Sequence, residues 1–168
     1  MRGLLVTLIL AVLAVPAAAL AASSAPGDGT FVVKNATGKI TINGRGIVFG
    51  RFDTGTLTIV DYNPDDGVDP QVNGADKKIL LGGDGKWQYK GDNVRFRFFG
   101  GRYKLVFNGA SGIDLSAVGS GRATLYGTGP SFIGDYGTFS ADGAKFQPLT
   151  LAPITIAFGA PLPPGILP

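Results

Sequence analysis

The chain has 168 residues, of which 27 are Gly, 11 are Pro and one is Trp; it contains no Cys and no His, and all 12 of its acidic residues are Asp. Without His or Cys, the sequence excludes a Ser-His-Asp triad, a thiolate nucleophile, disulfides and the common zinc sites. Without Glu, it also excludes a complete EF-hand loop. The net charge of +3 is small for a nucleic-acid-binding protein, so no nucleic-acid partner is predicted.

The first residues predict an export signal. Arg2 supplies the positive charge, residues 4–15 form an apolar run that only Thr7 interrupts, and Ala19-Leu20-Ala21 fits an A-x-A cleavage site. We therefore expect residues 1–21 to be a signal peptide that is removed after Ala21, leaving a secreted mature protein. No later segment is apolar for long enough to predict a transmembrane span in the mature form.

Composition also predicts how the rest of the chain is divided. Residues 22–28 are a short flexible lead-in, 29–158 a single all-β domain, and 159–168 a Pro-rich tail. The oligomeric state is left open by the sequence.

Short runs of β-branched and aromatic residues alternate with Gly or Asn turns from Phe31 onwards. This pattern predicts an all-β protein, an antiparallel β-sandwich or barrel of about 10–12 short strands. The candidate strands are 30–34, 39–43, 46–52, 56–62, 78–81, 86–90, 93–99, 102–107, 113–118, 122–127, 136–141 and 149–158.

Two segments of the chain, 29–60 and 101–141, resemble each other. Both contain a strand, an Asn-containing turn, a G-x-G sequence and a D-x-G-T motif in the same order. This order favours the duplication of a roughly four-stranded unit, although Gly-rich β chains also produce such matches by chance. Because strands flank the G-x-G glycines, we expect them at bends or bulges and not in a phosphate-binding loop.

The segment from Val94 to Phe107 alternates on both sides of Gly100-Gly101, which predicts a β-hairpin with Arg97 opposite Lys104. One face of this hairpin is apolar, and the other carries the candidate ligand-binding residues. These are Arg95, Arg97, Phe99, Arg102 and Lys104. Like charges directly opposite each other are unfavourable unless an anion compensates them, so this face is a candidate for binding an anionic polymer, either an envelope glycan or lipid headgroups. The favoured interpretation is a solvated charged face, or one whose cations are neutralised by Asp residues of the same chain.

Oxygen-bearing side chains alternate in the acidic loop that follows the fourth candidate strand. The candidate calcium ligands are Asp61, Asn63, Asp65 and Asp69. However, Gly67 lies one position late for a calcium loop, and no Glu closes the site, so a turn between strands is the favoured interpretation and calcium binding the alternative. No other cofactor is predicted.

The segments GRGIVFGRFDTGTLTI (44–59) and NVRFRFFGGRYKLVFNGASGIDLSAVGSG (93–121) resemble a group of uncharacterised, Gly-rich, exported bacterial all-β proteins. The resemblance implies an exported β fold and brings no activity or site residues with it. We therefore expect a non-enzymatic β-domain with a structural or binding role at the cell envelope or outside the cell. The alternatives are an anionic-polymer binding module and an Asp-dependent glycan hydrolase, because two carboxylates suffice for some glycoside hydrolysis.

Overall fold

A computed structural model describes residues 27–83, 85–129 and 135–159 of the chain. The predicted signal peptide and its cleavage site, residues 22–26 of the lead-in and residues 160–168 of the tail lie outside the described residues. In the part that is described, no helix is long and apolar enough to cross a membrane.

The described residues form an all-β structure, as predicted, with all strands in one antiparallel sheet that is not closed. The strands are β1 (Gly29–Asp61), β2 (Gln71–Asn73), β3 (Lys77–Leu80), β4 (Lys86–Gly127), β5 (Thr138–Ala141), β6 (Gln147–Pro148) and β7 (Ile154–Phe158). Their order in the sheet is β2-β4-β1-β5-β6, and both β3 and β7 also pair with β4.

The two long strands, β1 and β4, pair with each other on both of their edges. Ile40 in β1 lies between Phe107 and Leu125 of β4, whereas Leu57 in β1 lies between Tyr89 and Phe107. Phe107 therefore borders β1 at two separate points along that strand. This is possible only because the two strands wind around each other as an antiparallel coil.

The coil is flattened into two layers that enclose the core. The first layer contains residues 38–45 and 54–61 of β1, residues 86–91, 102–108 and 120–127 of β4, and the whole of the short strands β3 and β7. The second layer contains residues 29–36 and 46–52 of β1, residues 93–99 and 110–119 of β4, and the whole of the short strands β2, β5 and β6. The Phe107 ring of the first layer contacts the Phe96 and Phe52 rings of the second, with centroid distances of 5.5 and 6.0 Å, although none of these residues are ladder partners.

The core consists of every second side chain along the strands, as the period of two predicts for sheets with one buried face. The largest fully buried side chains are Tyr103, Phe31, Phe52, Phe98, Phe107, Phe139, Phe158, Ile40, Ile42, Leu57, Ile59 and Leu105. Burying one such side chain stabilises a fold by about 1.5–3 kcal/mol, so this core holds the two layers together without disulfides.

The chain changes layer at glycine-containing bends. Gly46 and Gly119 are ladder partners at one bend, and both have positive φ, 111° and 141°. A Cβ on Gly46 would overlap the carbonyl oxygen of Val118, and a Cβ on Gly119 would overlap that of Arg45. Only glycine satisfies both the backbone angle and the close approach.

The two G-x-G sequences of the predicted repeat meet at this bend, because Gly44, Arg45 and Gly46 pair with Gly121, Ser120 and Gly119. They lie at a bend and not in a phosphate-binding loop, as predicted. Segments 29–60 and 101–141 do not form separate units, since β1 takes its partners from β4 and β5. The duplication of a four-stranded unit remains a prediction.

The predicted hairpin at Gly100-Gly101 is wrong. Arg97 pairs with Phe49 on one side and Gln71 on the other, so neither edge is available to Lys104. Lys104 in turn pairs with Asn43 and Val60. The strand continues through the two glycines.

Gly100 and Gly101 form a bulge opposite Gly46, because Phe99 pairs with Ile47 and Arg102 pairs with Arg45. Two residues of β4 thus oppose one residue of β1, which defines a β-bulge. In a regular strand, positions 99 and 102 would point to opposite faces. The extra residue shifts the alternation by one, so both positions point to the outer surface, as they would on either side of a two-residue hairpin turn. The predicted split into an apolar and a charged face is therefore confirmed, although its cause is a bulge.

Candidate functional site

The bulge divides the five predicted ligand-binding residues between the two layers. Arg95, Arg97 and Phe99 project from the outer surface of the second layer, and Arg102 and Lys104 belong to the first layer. The structure therefore separates the two groups that the hairpin register had placed together.

A cavity of about 720 Å³ lies on the outer surface of the second layer, and we name it the arginine groove. The charged residues and the exposed aromatic residues that line it are Lys34, Phe49, Arg51, Arg95, Arg97, Phe99 and Asp114. They come from neighbouring strand segments of β1 and β4, where outward residues of adjacent strands lie side by side.

Arg97 is held in place by two contacts within the groove. Its Nε donates a hydrogen bond of 2.7 Å to Oε1 of Gln71, and its guanidinium lies 5.4 Å from the centroid of the Phe99 ring. Phe99 and Phe49 are each 48% exposed, which is unusual for side chains of this size. The hydrogen bond to Gln71 uses one of five guanidinium N–H donors, so the group is oriented and keeps donors for a ligand.

Asp114 is the only carboxylate among the residues that line the arginine groove. Its Oδ2 accepts hydrogen bonds from Arg51 Nε (3.0 Å) and Nη2 (2.8 Å), and its Oδ1 accepts one from the Asn35 N–H (2.8 Å). Partial burial raises the pKa of Asp114, but the hydrogen bonds from Asn35 and Arg51 outweigh it and hold that pKa below its usual range. Asp114 therefore stays charged; it is bound to Arg51, and its charge also acts on Lys34.

The groove also contains two like charges side by side, because Arg51 lies directly opposite Arg95 in the ladder, and Asp114 on the other side of Arg51 offsets part of their repulsion. The sequence predicted such a pair at Arg97 and Lys104, and the structure places it here. Lys34 adds a further cation at the same surface, with its Nζ 4.6 Å from the Phe146 ring. An anion in the groove would relieve this accumulation of positive charge.

Sequence reasoning missed the residues that β1 and the later part of β4 bring to the groove. Phe49 and Arg51 alternate outward just as Arg97 and Phe99 do, and this shared pattern of Phe and Arg was the available signal. Asp114 could not be found in this way, because its position beside Arg51 depends on the ladder register.

The acidic loop has the contacts of a turn. Oδ1 of Asp61 accepts a hydrogen bond of 2.9 Å from the Asn63 N–H, and Oδ1 of Asp66 accepts one of the same length from the Val68 N–H. Asp65 and Asp69 are exposed. Among residues 27–83, 85–129 and 135–159, no three acidic side chains are grouped so that they could hold a metal ion, and calcium binding remains a prediction.

Asp61 is nevertheless unusual, since it is 4% exposed and its Oδ2 has no hydrogen-bond partner within the described structure. Burial raises the pKa of this carboxyl, the Asn63 hydrogen bond opposes that rise, and the charges of Asp66 and Asp69 add to it.

A glycan hydrolase of the Asp-dependent kind would need two carboxylates facing one cleft. The residues that line the arginine groove include one, and Arg51 is bound to it. The two Asp residues of the repeated motif have structural positions: Asp53 lies against Gly112 at a bend, and Oδ1 of Asp135 accepts the Gly137 N–H at 2.9 Å. Within the arginine groove, the described side chains therefore support binding more directly than this kind of catalysis.

Comparison of the chain with models of protein families, with curated proteins and with solved structures finds no match. The resemblance to Gly-rich exported bacterial proteins remains an expectation.

Proposed function

We propose that this protein is an exported, non-enzymatic binding module that holds an anionic polysaccharide of the cell envelope or its surroundings in the arginine groove. One observation carries the proposal: Lys34, Arg95 and Arg97 line the groove together with two half-exposed phenylalanines, while its one lining carboxylate is bound to Arg51.

The two kinds of side chain fit two parts of such a ligand. Guanidinium groups bind carboxylates, sulfates and phosphates through paired, charge-assisted hydrogen bonds. The exposed ring faces of Phe49 and Phe99 offer apolar surface for the C–H face of a sugar ring. Because Phe49 is the ladder partner of Arg97 and Phe99 follows two residues later, an anion on Arg97 would have an apolar platform on either side.

A solvated face without a ligand explains the cations less well. Solubility is served by charges of both signs and by few exposed aromatics. Here two large aromatic side chains are 48% exposed, and the described residues that line the groove include four cations and one carboxylate.

The test is the affinity of the folded protein for dextran sulfate and polygalacturonate, with neutral dextran as the negative control. The double variant R95Q/R97Q keeps side-chain length and removes two positive charges. We expect the groove of this variant to bind at least tenfold more weakly, because hydrogen bonds to charged groups contribute about 1.5–3 kcal/mol each and 1.4 kcal/mol corresponds to tenfold.

The matched control is K78Q/K145Q, which removes the same charge outside the groove. Lys78 lies 4.0 Å from the Trp87 ring centroid, and Lys145 lies in the loop after β5. Equal weakening in the two double variants would show that only net charge matters and would reject the groove. The variant F49S/F99S, which leaves the charge unchanged, should also weaken binding to polygalacturonate.

A further inference from the structure

The outer surface of the first layer has a regular pattern of side chains across its strands. A central row of ladder partners contains mainly threonines: Thr155, Thr124, Thr41, Val106, Thr58 and Gln88. The hydroxyl oxygens of Thr124 and Thr155 are 3.0 Å apart, so these two threonines contact each other. We name this row and the two rows that flank it the threonine face.

Both flanking rows contain cations. Arg122, Lys104 and Lys86 lie on one side of the threonines, and Lys39, Lys90 and Lys77 lie on the other. None of the outward positions that the structure describes in these three rows is an Asp. Lys77 and Lys90 are direct ladder partners, an unfavourable arrangement unless an anion compensates it.

The spacing of a β-sheet makes this pattern a shallow channel. Outward residues along one strand are about 6.8 Å apart, so the two cation rows lie about 13–14 Å from each other. Threonine side chains are short, whereas lysine and arginine are long, so the threonines form the floor and the cations form both walls. A linear anionic chain lying on the threonines would be within reach of cations on both sides.

We propose that the threonine face is a second binding site for an anionic polysaccharide, and that the protein bridges two polysaccharide chains. The bridging rests on the proposed function of the arginine groove. The two sites lie on the outer surfaces of opposite layers, with the buried core between them, so one chain on each site does not obstruct the other. Charge complementarity and the linear shape of the channel favour a polymer as the occupant.

The experiment counts the sites and measures bridging separately. Calorimetry with a short sulfated oligosaccharide gives the number of sites, and light scattering with long dextran sulfate reports cross-linking. We expect two sites for the unmodified protein and one site each for R95Q/R97Q and for K104Q/R122Q. Both variants should lose scattering at least tenfold, whereas K78Q/K145Q should keep two sites and most of the scattering.

The possible failures are distinguishable. If K104Q/R122Q keeps two sites, the threonine face is rejected and the groove stands. If R95Q/R97Q keeps two sites while K104Q/R122Q loses one, the groove is rejected, and bridging between the two faces is rejected with it. If all three double variants lose binding equally, both sites are rejected in favour of bulk charge.

A membrane surface is the competing occupant of the threonine face. Vesicles with and without anionic phospholipid test it. If K104Q/R122Q loses vesicle binding but retains both polysaccharide sites, the face binds lipid headgroups and the proposal is overturned. Scattering by the protein without polymer, at the same concentration, gives the contribution of self-association.

Discussion

The bends and the faces of the sheet carry different residues. Every described Lys and Arg except Lys145 lies in a strand, whereas the acidic residues are concentrated at bends, turns and strand ends. Asp114 is the exception, a carboxylate within a strand segment on the groove surface. The glycines at which the chain changes layer are also at the bends. The residues at the bends therefore determine the path of the chain, and the outward residues of the faces are available for binding.

The acidic residues at bends bind the backbone. The carboxylates of Asp61, Asp66, Asp135 and Asp142 each accept hydrogen bonds from backbone N–H groups in turns or at strand ends. Most of the described carboxylates thus lie at the bends, whereas the cations lie on the faces. The net charge of +3 therefore understates how positive the two outer faces are.

This division predicts that a bend substitution changes stability and leaves binding by the folded protein unchanged. The largest effect is expected at Gly46. In Gly46→Val, the new side chain overlaps the Val118 carbonyl oxygen in a backbone conformation that valine rarely adopts. We expect the free energy of unfolding to fall by more than about 3 kcal/mol, measured by urea denaturation.

Gly100→Ala is the control for this bend. Gly100 also has positive φ, 99°, but a Cβ there meets nothing within 4 Å. The loss should be only about 1 kcal/mol, as expected for the backbone angle alone. If both substitutions destabilise equally, close approach is not what the bend at Gly46 requires.

A smaller effect is expected at Asp142, whose carboxylate joins the start of β1 to the end of β7. It accepts hydrogen bonds from the N–H groups of Thr30 (3.0 Å) and Gly159 (3.1 Å). Since the residue is exposed, we expect Asp142→Ala to cost about 1–2 kcal/mol.

Amide hydrogen exchange locates this effect. Exchange should accelerate first at Thr30 and Gly159, and Asp142→Asn should restore part of the protection. Unchanged exchange at both amides would contradict the role of Asp142.

The smallest expected effect is a difference in how the stability of the protein depends on pH at two carboxyls. These are the buried carboxyl of Asp61 and the carboxyl of Asp114 in the arginine groove. Burial raises the pKa of Asp61, so its contribution to stability is greatest below the ordinary Asp pKa and is lost as pH rises through the folded-state value. Hydrogen bonds lower the pKa of Asp114, so its contribution is present above the ordinary Asp pKa and is lost as pH falls.

Asp61→Asn tests the first half of this statement by urea denaturation at pH 3.5 and pH 7. The amide cannot ionise, so the variant should gain stability relative to the unmodified protein at the higher pH. Asp114→Asn should show the opposite trend, with its largest relative loss at the higher pH. Parallel pH profiles for the two variants would show that their environments do not differ as the structure indicates.

The side of the sheet on which each residue lies could be predicted from the sequence, but its neighbours could not. Alternation placed Phe98 and Tyr103 in the core, and both are fully buried. The same alternation is compatible with a hairpin turn or with a bulge at Gly100-Gly101, since both keep Phe99 and Arg102 on the outer side. The choice depends on what pairs with Arg97, and that partner, Phe49, is distant in sequence.

The candidate site was only partly predictable for the same reason. The residues of one strand, Arg95, Arg97 and Phe99, were found because they alternate within a short segment. Arg51 and Asp114 come from other strands, and only the ladder register places them beside these three.

The winding of β1 and β4 also governs when the protein acquires its structure. β1 takes all its ladder partners from β4 and β5, and the separation of these pairs in the sequence increases from Val60 with Lys86 to Phe31 with Ala141. A chain that emerges from the ribosome with its N-terminus first cannot pair β1 until β4 has followed. Such long-range pairing slows folding, so β1 remains unpaired while the later strands are still being synthesised.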